Sequence, residues 1–341
     1  MAVPQQYYDI GIVPETTSLS ERFLSPFSSL NYLLNGFIFD RITLITSGTD
    51  NGKTTLCSQI IIEAIKSGYK CFGFFGEDGG AEARDRMYRQ YLRYDKDNFV
   101  YTPYQMNGKE TNCGEFLLQH DKFEEASRFF AGKLFIYNNN IAADKDNLIN
   151  TLERARMEQG CRVFLLDNVE MFDLDTDNEN KGIKEICIAL RRYAITKKVH
   201  IIIVAHIRKI ERNVVRPDIF DVKGTSALTN IAKNIITIIR TDKLNRALPE
   251  YKQFAKTIEA NGWKLDDLDA VVEVRKTKGR GLGFVGLKFN KISNSYYEID
   301  KNTPYTPPQE EPKKPTLYNP YSYKQSSLIP LDDDTDLDDI F

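Results

Sequence analysis

The sequence predicts an α/β fold, with a mostly parallel, twisted sheet and helices on both faces. Apolar, strand-like runs alternate with helical patterns, and a polar loop containing glycine joins one of the first apolar runs to a helix. No run approaches the 18 apolar residues of a membrane span. Sheets of this class bind ligands at the carboxyl ends of their strands, so the residues that end each strand are the first candidates for a functional site.

Strand-like and helical patterns alternate through most of the chain. Each strand-like run is short and apolar, and most of the intervals between the runs hold longer helical patterns. Residues 268–300 show shorter, more exposed strands and are predicted to form an antiparallel C-terminal extension. The predicted strands lie at 42–46, 70–76, 133–137, 162–167, 199–205 and 234–240, and the predicted helices at 53–67, 80–93, 145–159 and 182–197.

Composition divides the 341 residues into three parts. Residues 1–25 are polar and irregular and are predicted to be an arm or linker, and residues 26–303 form the α/β domain. Residues 304–341 hold seven prolines, eight acidic residues and three lysines, so they carry a net charge of −5 in a chain whose net charge is −2. This segment cannot bury a core and is predicted to be a disordered, acidic tail on a mildly basic body.

The cysteines and histidines argue against disulfide and zinc chemistry. Five cysteines are scattered without a CxxC pair, and Cys57, Cys71, Cys161 and Cys187 lie in or beside apolar runs. They are expected to be reduced residues in or near the core of a cytosolic protein. The N-terminal residues show no basic-then-apolar leader, so we expect a cytoplasmic protein without a membrane partner.

Residues 42–57 show the layout of a phosphate-binding P-loop: an apolar strand, a tight polar loop and a helix that starts around Gly52, Lys53 and Thr54. The strict pattern has glycine at its first position, where this chain has Ser47, but the strand–loop–helix context supports the same interpretation. Loop N–H groups would cradle the phosphates of ATP or another NTP, Lys53 would reach the β- and γ-phosphates, and Thr54 would contact Mg²⁺. The predicted nucleotide-contacting residues are Ser47, Gly48, Asn51, Gly52, Lys53, Thr54 and Thr55.

Three other strands also end in residues that suit phosphoryl-transfer chemistry. Asp167 ends an apolar run; after a P-loop such an aspartate commonly orders Mg²⁺ and its water, although buried strands also end in aspartate to cap a loop. Glu77 follows the run at 70–76 and is either a general base that activates water or a solvated loop acid. His206 ends the run that starts at His200 and is either structural or a sensor of the γ-phosphate.

These segments resemble the RecA-like ATPase core of the DnaB family of hexameric replicative helicases, over roughly residues 25–300. Three motifs carry the resemblance: Ser-Gly-Thr-Asp-Asn-Gly-Lys-Thr at 47–54, Val-Ala-His-Ile-Arg-Lys at 204–209, and Pro-Asp-Ile-Phe-Asp-Val-Lys-Gly-Thr-Ser-Ala-Leu at 217–228. The third is similar to a family element that faces DNA in the central channel, and a strand ending in Arg240 follows it. The order and spacing match the family, closest to the phage primase-helicases.

The resemblance implies roles by position. Lys53 and Thr54 bind nucleotide and metal, and Asp167 is the acid on the Mg²⁺ side. Glu77 is the catalytic base, and His206 couples the state of the γ-phosphate to the loop that follows it. That loop is rich in cations suited to DNA phosphates; without the resemblance, an ordinary solvated loop would be the simpler interpretation. The implied DNA-contacting residues are Arg208, Lys209, Arg212, Arg216 and Lys223.

Residues 276–283 resemble the family's Lys-x-Arg…Gly segment, whose arginine is the finger inserted into the neighbouring subunit's ATP site. This chain has Lys278 at the arginine position and Arg280 two residues later. Lysine is a point charge rather than a planar fork, so it is not an equivalent replacement. Either Arg280 takes the finger role or hydrolysis is weakened, and both residues are catalytic candidates.

The end of the tail resembles the C-terminal peptides of single-stranded-DNA-binding proteins, and acidic tails ending in phenylalanine also occur on phage replicative helicases. Carboxylates beside a terminal phenylalanine can dock into a basic-rimmed apolar pocket, whereas a merely solubilising tail usually lacks an apolar end. The implied partners are a polymerase, a primase or a single-strand-binding protein. The residues expected to contact them are Asp338, Asp339, Ile340 and Phe341.

The sequence therefore predicts an ATP-driven replicative helicase or translocase that forms a ring, a hexamer by the resemblance, on single-stranded DNA. ATP would be hydrolysed between subunits, in the cytoplasm of a bacterium or a phage-infected host cell. Two alternatives stay open. One is a RecA-class DNA-dependent ATPase without helicase activity, such as a recombinase or a loader. The other is a catalytically weak scaffold that binds nucleotide and recruits partners through its tail.

Overall fold

The computed structural model describes residues 21–299 except for 94, 107–108, 140–143, 173–178, 208–215, 217–220 and 223–225. Most of the predicted N-terminal arm and the whole predicted acidic tail lie outside the described residues. The strands are β1 (Arg22–Phe23), β2 (Phe37–Ile38), β3 (Ile42–Ser47), β4 (Lys70–Phe75), β5 (Phe99–Met106), β6 (Lys109–Leu118), β7 (Leu134–Ile136), β8 (Cys161–Asp167), β9 (His200–His206), β10 (Asn234–Arg240), β11 (Ala270–Lys276), β12 (Gly283–Asn290) and β13 (Ser295–Glu298). The helices are α1 (Ser28–Leu34), α2 (Lys53–Lys66), α3 (Gly80–Leu92), α4 (His120–Phe130), α5 (Lys145–Gln159), α6 (Glu179–Lys197), α7 (Ser226–Ile231) and α8 (Pro249–Ala260).

Contacts within the chain divide it into two units. The larger unit contains the main sheet and its helices, within residues 1–100 and 116–305. The smaller unit contains, among the described residues, 101–106 and 109–115, which belong to the two-stranded sheet of β5 and β6. Inside this smaller unit, a Cβ built on Gly114 would lie 2.3 Å from the carbonyl oxygen of Thr102, so glycine is required at this close approach of two backbones.

The main sheet has nine strands in the order β13-β12-β11-β10-β3-β9-β8-β4-β7. The six strands from β10 to β7 run parallel, and β11, β12 and β13 are added antiparallel at one side. The predicted parallel sheet with an antiparallel C-terminal extension is confirmed. This order places β3, β9, β8 and β4 side by side, so the residues that end these four strands meet at one edge.

Helices cover both faces of the parallel strands. β3, β9 and β10 are buried along almost their whole length, and the near-continuous apolar runs of β9 and β10 are typical of strands covered on both faces. Neighbouring residues contribute to opposite layers, because successive side chains of a strand point to opposite faces. Ile45 packs in the core that contains α2, and Leu44 packs in the core that contains α5 and α6.

Packed structure begins before residue 26, the predicted start of the domain. β1 pairs with β2 in a small antiparallel sheet. Phe23 is buried, and its ring stacks on Phe37 with 5.1 Å between the centroids. The sequence of this stretch mixes polar and apolar residues without a clear period, so its place in the core becomes visible only through partners that are distant in the sequence.

Helices α4, α7 and α8 lie in stretches to which the sequence assigned no element. Tyr88 of α3 stacks on Phe130 of α4 with 5.4 Å between centroids. Phe254 and Ile258 of α8 form a separate small core with Trp263. These helices are short, and tertiary packing rather than helix propensity stabilises helices of this length. None of the helices in the described part of the chain is long and apolar enough to cross a membrane.

Candidate nucleotide-binding and hydrolysis site

The carboxyl ends of four parallel strands form one edge of the sheet, called here the carboxyl edge. In the strand register Ser47 of β3 lies opposite His206 of β9, and Phe75 of β4 lies opposite Asp167 of β8. Glu77 follows two residues after the end of β4. Sequence-distant residues therefore become neighbours where ligands bind in sheets of this class.

The loop between β3 and α2 has the backbone of a P-loop. Gly52 has a left-handed φ of 84°, and a Cβ there would lie 2.0 Å from the Tyr296 hydroxyl oxygen, so glycine is required. The Asn51 side chain accepts a hydrogen bond from the Arg240 N–H at 2.9 Å, which holds the loop to the end of β10. Ser47, which replaces the first glycine of the strict pattern, is the last residue of β3, where a side chain is accommodated.

Lys53 is the first residue of α2 and is buried, with 5% of its surface exposed. Its ammonium group donates to the Gly48 carbonyl oxygen at 2.9 Å and lies 3.2 Å from His206 Nδ1. Burial lowers the pKa of Lys53, and the charges of Asp167 and Glu77 oppose this shift. A buried cation at the start of a helix, beside a loop of this shape, is suited to bind phosphate.

Thr55, one of the predicted nucleotide-contacting residues, has a second role in packing. Its hydroxyl donates to Asn294 Oδ1 at 3.3 Å, in the turn between β12 and β13. One turn further along α2, the Gln59 amide exchanges two hydrogen bonds, of 2.8 and 3.0 Å, with the backbone of Tyr296. These contacts hold β13 against α2, directly behind the P-loop.

Asp167 and Thr54 have the chemistry of a Mg²⁺ site. Asp167 is 7% exposed, and its Oδ2 atom is buried with no hydrogen-bond partner among the described residues. Burial raises the pKa of this carboxyl to about 6, although a hydrogen bond from Thr54 and the charge of Lys53 lower it. No cluster of three or more metal-ligating side chains lies among the described residues. Mg²⁺ commonly takes one or two protein oxygens and completes its shell with water and substrate phosphates, so these residues fit the ion.

Glu77, Asn168 and His206 are in direct contact. Glu77 Oε1 lies 2.6 Å from Asn168 Nδ2 and 3.1 Å from His206 Nε2. Because the Lys53 ammonium can only donate, His206 Nδ1 accepts its hydrogen bond and the ring proton is on Nε2. His206 Nε2–H and the Asn168 amide both donate to the same Glu77 oxygen. The candidate base and the candidate sensor therefore form one network with the P-loop lysine.

Arg86 of α3 also reaches this edge, although nothing in the sequence singles it out. One guanidinium nitrogen lies 2.6 Å from Asp78 Oδ2, and Nε donates to Ser58 Oγ of α2 at 3.2 Å. The guanidinium carbon lies 5.6 Å from the centre of the Phe75 ring. Arg86 thus connects the loop that carries Glu77 to the helix that carries Lys53. In the sequence it is indistinguishable from a charge on a solvated helix face.

The two finger candidates lie at the opposite edge of the sheet, called here the amino edge. Lys276, the last residue of β11, is opposite Ile235 near the start of β10, and Asn234 is opposite Thr43 near the start of β3. Lys278 and Arg280 lie in the turn that follows, and both are exposed. The structure does not bring them to the P-loop of their own chain.

The position of Arg280 is fixed by contacts with α1. Its N–H donates to the Leu33 carbonyl oxygen at 2.8 Å. Its guanidinium carbon lies 4.7 Å from the centre of the exposed Tyr32 ring. A Cβ on Gly279 would lie 2.4 Å from the backbone of Leu34, so the turn needs glycine to approach α1 this closely. The β11–β12 turn thus presents Arg280 on a supported surface.

The predicted DNA-contacting loop starts directly after His206. Ile207 and Val222 form an isolated antiparallel bridge, so the two ends of this loop lie together. The Ile207 N–H donates to the Ser47 carbonyl oxygen at 3.2 Å, which connects the loop to the end of β3. Several predicted contact residues lie outside the described residues. These are Arg208, Lys209, Arg212 and Lys223 of the loop, and Asp338, Asp339, Ile340 and Phe341 of the tail.

Arg216 is the one predicted DNA contact among the described residues, and its guanidinium pairs with a buried carboxylate. Nε donates to Glu273 Oε2 at 2.9 Å, and a second nitrogen donates to Oε1. Glu273, on β11, is 3% exposed and also accepts hydrogen bonds from Arg275. The Arg216 guanidinium carbon lies 5.5 Å from the centre of the Phe284 ring. Much of its hydrogen-bonding capacity is therefore directed at the sheet.

The fold and the site define a P-loop nucleotide-binding protein with a RecA-like core. Residues 23–298 match the family model of the DnaB-like helicase C terminal domain. The chain belongs to this family of helicases, and the resemblance stated from its three motifs is confirmed. No curated protein matches the chain in sequence.

Three solved structures illustrate how widely the fold is shared. One, described as an ATPase domain, has a TM-score of 0.62 and 15% identity, over 82% of this chain and 92% of that one. A DnaB-like replicative helicase, described with its interactions with primase, has the same TM-score and identity, over 82% of this chain and 62% of that one. A KaiC-like protein from the hyperthermophilic archaeon Pyrococcus horikoshii has a TM-score of 0.53 and 17% identity, over 82% of this chain and all of that one. At these identities the likeness shows a common fold.

Proposed function

We propose that this chain is an ATP-driven replicative helicase that assembles into a ring on single-stranded DNA and hydrolyses ATP, or another NTP, between neighbouring copies. One observation carries the proposal. Lys53, Glu77, Asp167 and His206 converge at the carboxyl edge, whereas the finger candidates lie at the amino edge. The carboxyl and amino edges are separated by at least the length of β3, which is roughly 17 Å at about 3.3 Å per residue. A complete site therefore needs a second copy.

The residues at the carboxyl edge have complementary tasks in phosphoryl transfer. Lys53 binds the β- and γ-phosphates, and the Thr54 hydroxyl and the Asp167 carboxylate hold Mg²⁺. Mg²⁺, when bound, neutralises charge on the phosphate oxygens. Glu77 accepts a proton of the attacking water as the water oxygen bonds to the γ-phosphorus; the bond from that phosphorus to the β–γ bridging oxygen breaks, and the oxygen leaves with ADP. A cation supplied by the neighbouring copy, from Lys278 or Arg280, stabilises the charge that develops on the transferred group.

The connection between ATP and DNA runs through the strand end at His206. The next residue, Ile207, is bonded to both Ser47 and Val222, so Ile207 and Val222 lie together beside the end of β3, where the P-loop begins. A change in the position of His206 therefore moves the base of the predicted DNA-contacting loop. The cations for DNA phosphates are supplied by Arg208, Lys209, Arg212 and Lys223 of this loop. Arg216 fixes the loop to β11 through Glu273 and is a structural tether in this proposal.

The tail extends the proposal to partners. Asp338, Asp339 and Ile340 precede a terminal Phe341, and this combination fits an apolar pocket with a basic rim on a polymerase, a primase or a single-strand-binding protein. Deleting residues 331–341 is expected to leave ATP turnover and assembly unchanged and to abolish binding to that partner in a pull-down with purified components. If the deletion tightens binding to single-stranded DNA instead, the tail occupies the protein's own basic loop.

ATP turnover with and without single-stranded DNA, measured together with particle mass and strand displacement, tests the main proposal. We expect turnover to rise on addition of DNA, particles of several copies, and unwinding of a forked duplex. DNA-stimulated turnover without unwinding would instead indicate a DNA-dependent ATPase such as a recombinase or a loader. Nucleotide binding without turnover would indicate a scaffold. A monomer with full turnover would contradict a site shared between copies.

A further inference from the structure

We infer that Asn168 is a positioning residue that orients the Glu77 carboxylate beside the His206 ring, which in turn contacts Lys53. This inference rests on the proposed role of Glu77 as the base that activates water. Asn168 follows Asp167 at the end of β8 and is 1% exposed. A polar side chain buried to this extent normally has its hydrogen bonds satisfied, and those of Asn168 all lie within this one network.

The orientation of the Asn168 amide is fixed by a backbone donor. The Glu170 N–H donates to Asn168 Oδ1 at 2.9 Å, so the oxygen of the amide faces Glu170 and the NH₂ group faces the other way. Nδ2 then donates to Glu77 Oε1 at 2.6 Å, a short distance typical of a bond to a charged acceptor. If the amide were reversed, its oxygen would face the Glu77 carboxylate, an acceptor, and its NH₂ group would face the Glu170 N–H, a donor.

The tautomer of His206 provides a second donor to the same oxygen, Glu77 Oε1. Since His206 Nδ1 accepts from the Lys53 ammonium, Nε2 carries the proton and donates to Glu77 Oε1 at 3.1 Å. Asn168 Nδ2 also lies 3.1 Å from Nε2, but both atoms are donors, so each turns its hydrogen to the carboxylate. No hydrogen bond among the described residues involves Glu77 Oε2. One oxygen of Glu77 is held and the other is left to act on water.

The side chain of Glu77 would be mobile without these two donors. It is 62% exposed and follows the end of β4, in a segment without helix or strand structure. Holding a catalytic group in its reactive direction contributes to the rate without changing how tightly the substrate binds. The effect of Asn168 should therefore fall on kcat, with little effect on nucleotide affinity.

A ring of contacts connects Asn168 to the tip of β9. Glu170, which donates to Asn168, also accepts a hydrogen bond from the His206 N–H at 3.1 Å. His206 in turn contacts Lys53 through its side chain. When Lys53 turns toward phosphates, the change in its hydrogen bond to the His206 ring reaches Glu77 through that ring, while Asn168 keeps its own hydrogen bond to the carboxylate. The orientation of the Glu77 carboxylate therefore depends on whether Lys53 contacts His206 or phosphates.

Two substitutions separate orientation from local structure. Asn168→Asp keeps the shape of the side chain and the acceptor for the Glu170 N–H, but it removes the donor to Glu77 and places a second carboxylate there. Asn168→Ala removes both interactions. Asn139→Ala is the matched control, because the Asn139 amide donates at 2.8 Å to the Phe75 carbonyl oxygen, close to the loop that carries Glu77, without contacting the Glu77 carboxylate.

The measurement is single-turnover ATP hydrolysis and nucleotide affinity for each variant, with Glu77 intact and in the Glu77→Gln background. We expect Asn168→Asp and Asn168→Ala to slow hydrolysis by about 10- to 10²-fold, the size of one hydrogen bond to a charged group. Nucleotide affinity should stay within about threefold, and Asn139→Ala should stay near wild type. In the Glu77→Gln background, Asn168→Ala should cost little further, because the group that it orients is gone.

Each contrary result has its own meaning. Near-normal hydrolysis by Glu77→Gln would overturn the role of Glu77 in the proposed function, whatever Asn168 does. Slow hydrolysis by Glu77→Gln with normal hydrolysis by Asn168→Asp would overturn the inference alone. Equal losses from Asn168→Ala in both backgrounds, or a parallel loss of nucleotide affinity, would show that Asn168 acts on the fold and not on the base.

Discussion

The two ends of β9 carry the same residue type in opposite circumstances. His206, at the carboxyl edge, lies between a buried ammonium group and an exposed carboxylate, and its ring contacts Lys53, Asn168 and Glu77. His200, at the amino edge, is fully buried. Its Nδ1–H donates to the Ile38 carbonyl oxygen at 2.7 Å. A histidine at a strand end is thus a site residue at one edge and a core residue at the other.

The residues that contact each histidine explain why His200 is a core residue and His206 a site residue. His200 packs edge-on against the rings of Phe23 and Phe37, and burial lowers its pKa to about 4, so it stays neutral and closes the core beneath β1 and β2. His206 instead contacts an ammonium group, an amide and a carboxylate, which are groups suited to phosphoryl transfer. The carboxyl edge therefore gathers polar groups around an exposed carboxylate. At the amino edge polar groups also meet across strands, since His200 Nε2 lies 3.1 Å from Thr43 Oγ1 and the Asn234 amide donates to that oxygen at 3.3 Å, but these groups are buried in the core. Lys278 and Arg280 of the same edge are exposed.

Lys53→Ala should have the largest effect, because it removes the buried cation from the centre of the carboxyl edge. We expect hydrolysis to be abolished while the fold is kept, since phosphoryl transfer depends on charge stabilisation at this position. Turnover and the thermal midpoint would be measured side by side. Lys66→Ala, in the exposed last turn of the same helix, is the matched control. Near-normal turnover by Lys53→Ala would contradict the assignment of residues 47–54 as a P-loop.

At the amino edge, one of two substitutions, Lys278→Ala or Arg280→Ala, should slow turnover by roughly 10³- to 10⁵-fold, the range for a finger supplied by a neighbour. The other should have a small effect. Nucleotide affinity of each variant should stay near wild type, because these residues are remote from the P-loop of their own chain. Lys256→Ala, an exposed cation on α8, is the control. Normal turnover in both variants would mean that hydrolysis uses no cation from this turn.

The burial of His200 predicts a contribution of this residue to the pH dependence of stability. The folded pKa of His200, about 4, lies below its ordinary value of 6.5, so its contribution is full above pH 6.5 and is lost as the pH falls toward 4. The loss is on the order of 3 kcal/mol for a shift of this size. Urea unfolding at pH 7.5 and 4.5 should show a smaller pH dependence for His200→Asn than for wild type. A wild-type pH dependence in His200→Asn would refute this account of His200.

Arg216 should show a smaller effect that separates a tether from a phosphate contact. If Arg216 fixes the loop to β11, then Arg216→Ala and Glu273→Gln should change DNA-stimulated turnover by similar amounts. The salt dependence of DNA affinity should stay as in wild type. The ion pair is partly exposed on the arginine side, so its loss should cost only about 1 kcal/mol of stability. A reduction of the salt slope by up to about 0.7 in Arg216→Ala alone would show a phosphate contact.

Local motifs were readable from the sequence and long-range partnerships were not. The P-loop occupies consecutive residues, so Gly52, Lys53 and Thr54 follow from a strand, a loop and a helix start. Asp167 and His206 follow from apolar runs with a polar end. The parallel sheet follows from alternating patterns, because buried strands are near-continuously apolar.

The missed residues depend on contacts between distant parts of the chain. Asn168 lies 91 positions from Glu77 and 38 from His206, and nothing in its local sequence indicates that it faces both. In the sequence Arg216 is one cation among several, and its partner Glu273 is 57 positions away. The family resemblance gave the kind of site, but the pairing of these side chains needed the fold.

The most direct test of a site shared between copies mixes two inactive proteins. Lys53→Ala is co-assembled with Lys278→Ala and, separately, with Arg280→Ala, and basal ATP turnover is measured in assemblies shown to contain both chains. With the finger variant that is inactive alone, we expect turnover to return on mixing, because some interfaces then join an intact P-loop to an intact finger. Mixed assemblies that stay as inactive as either parent would contradict a site divided between neighbouring copies.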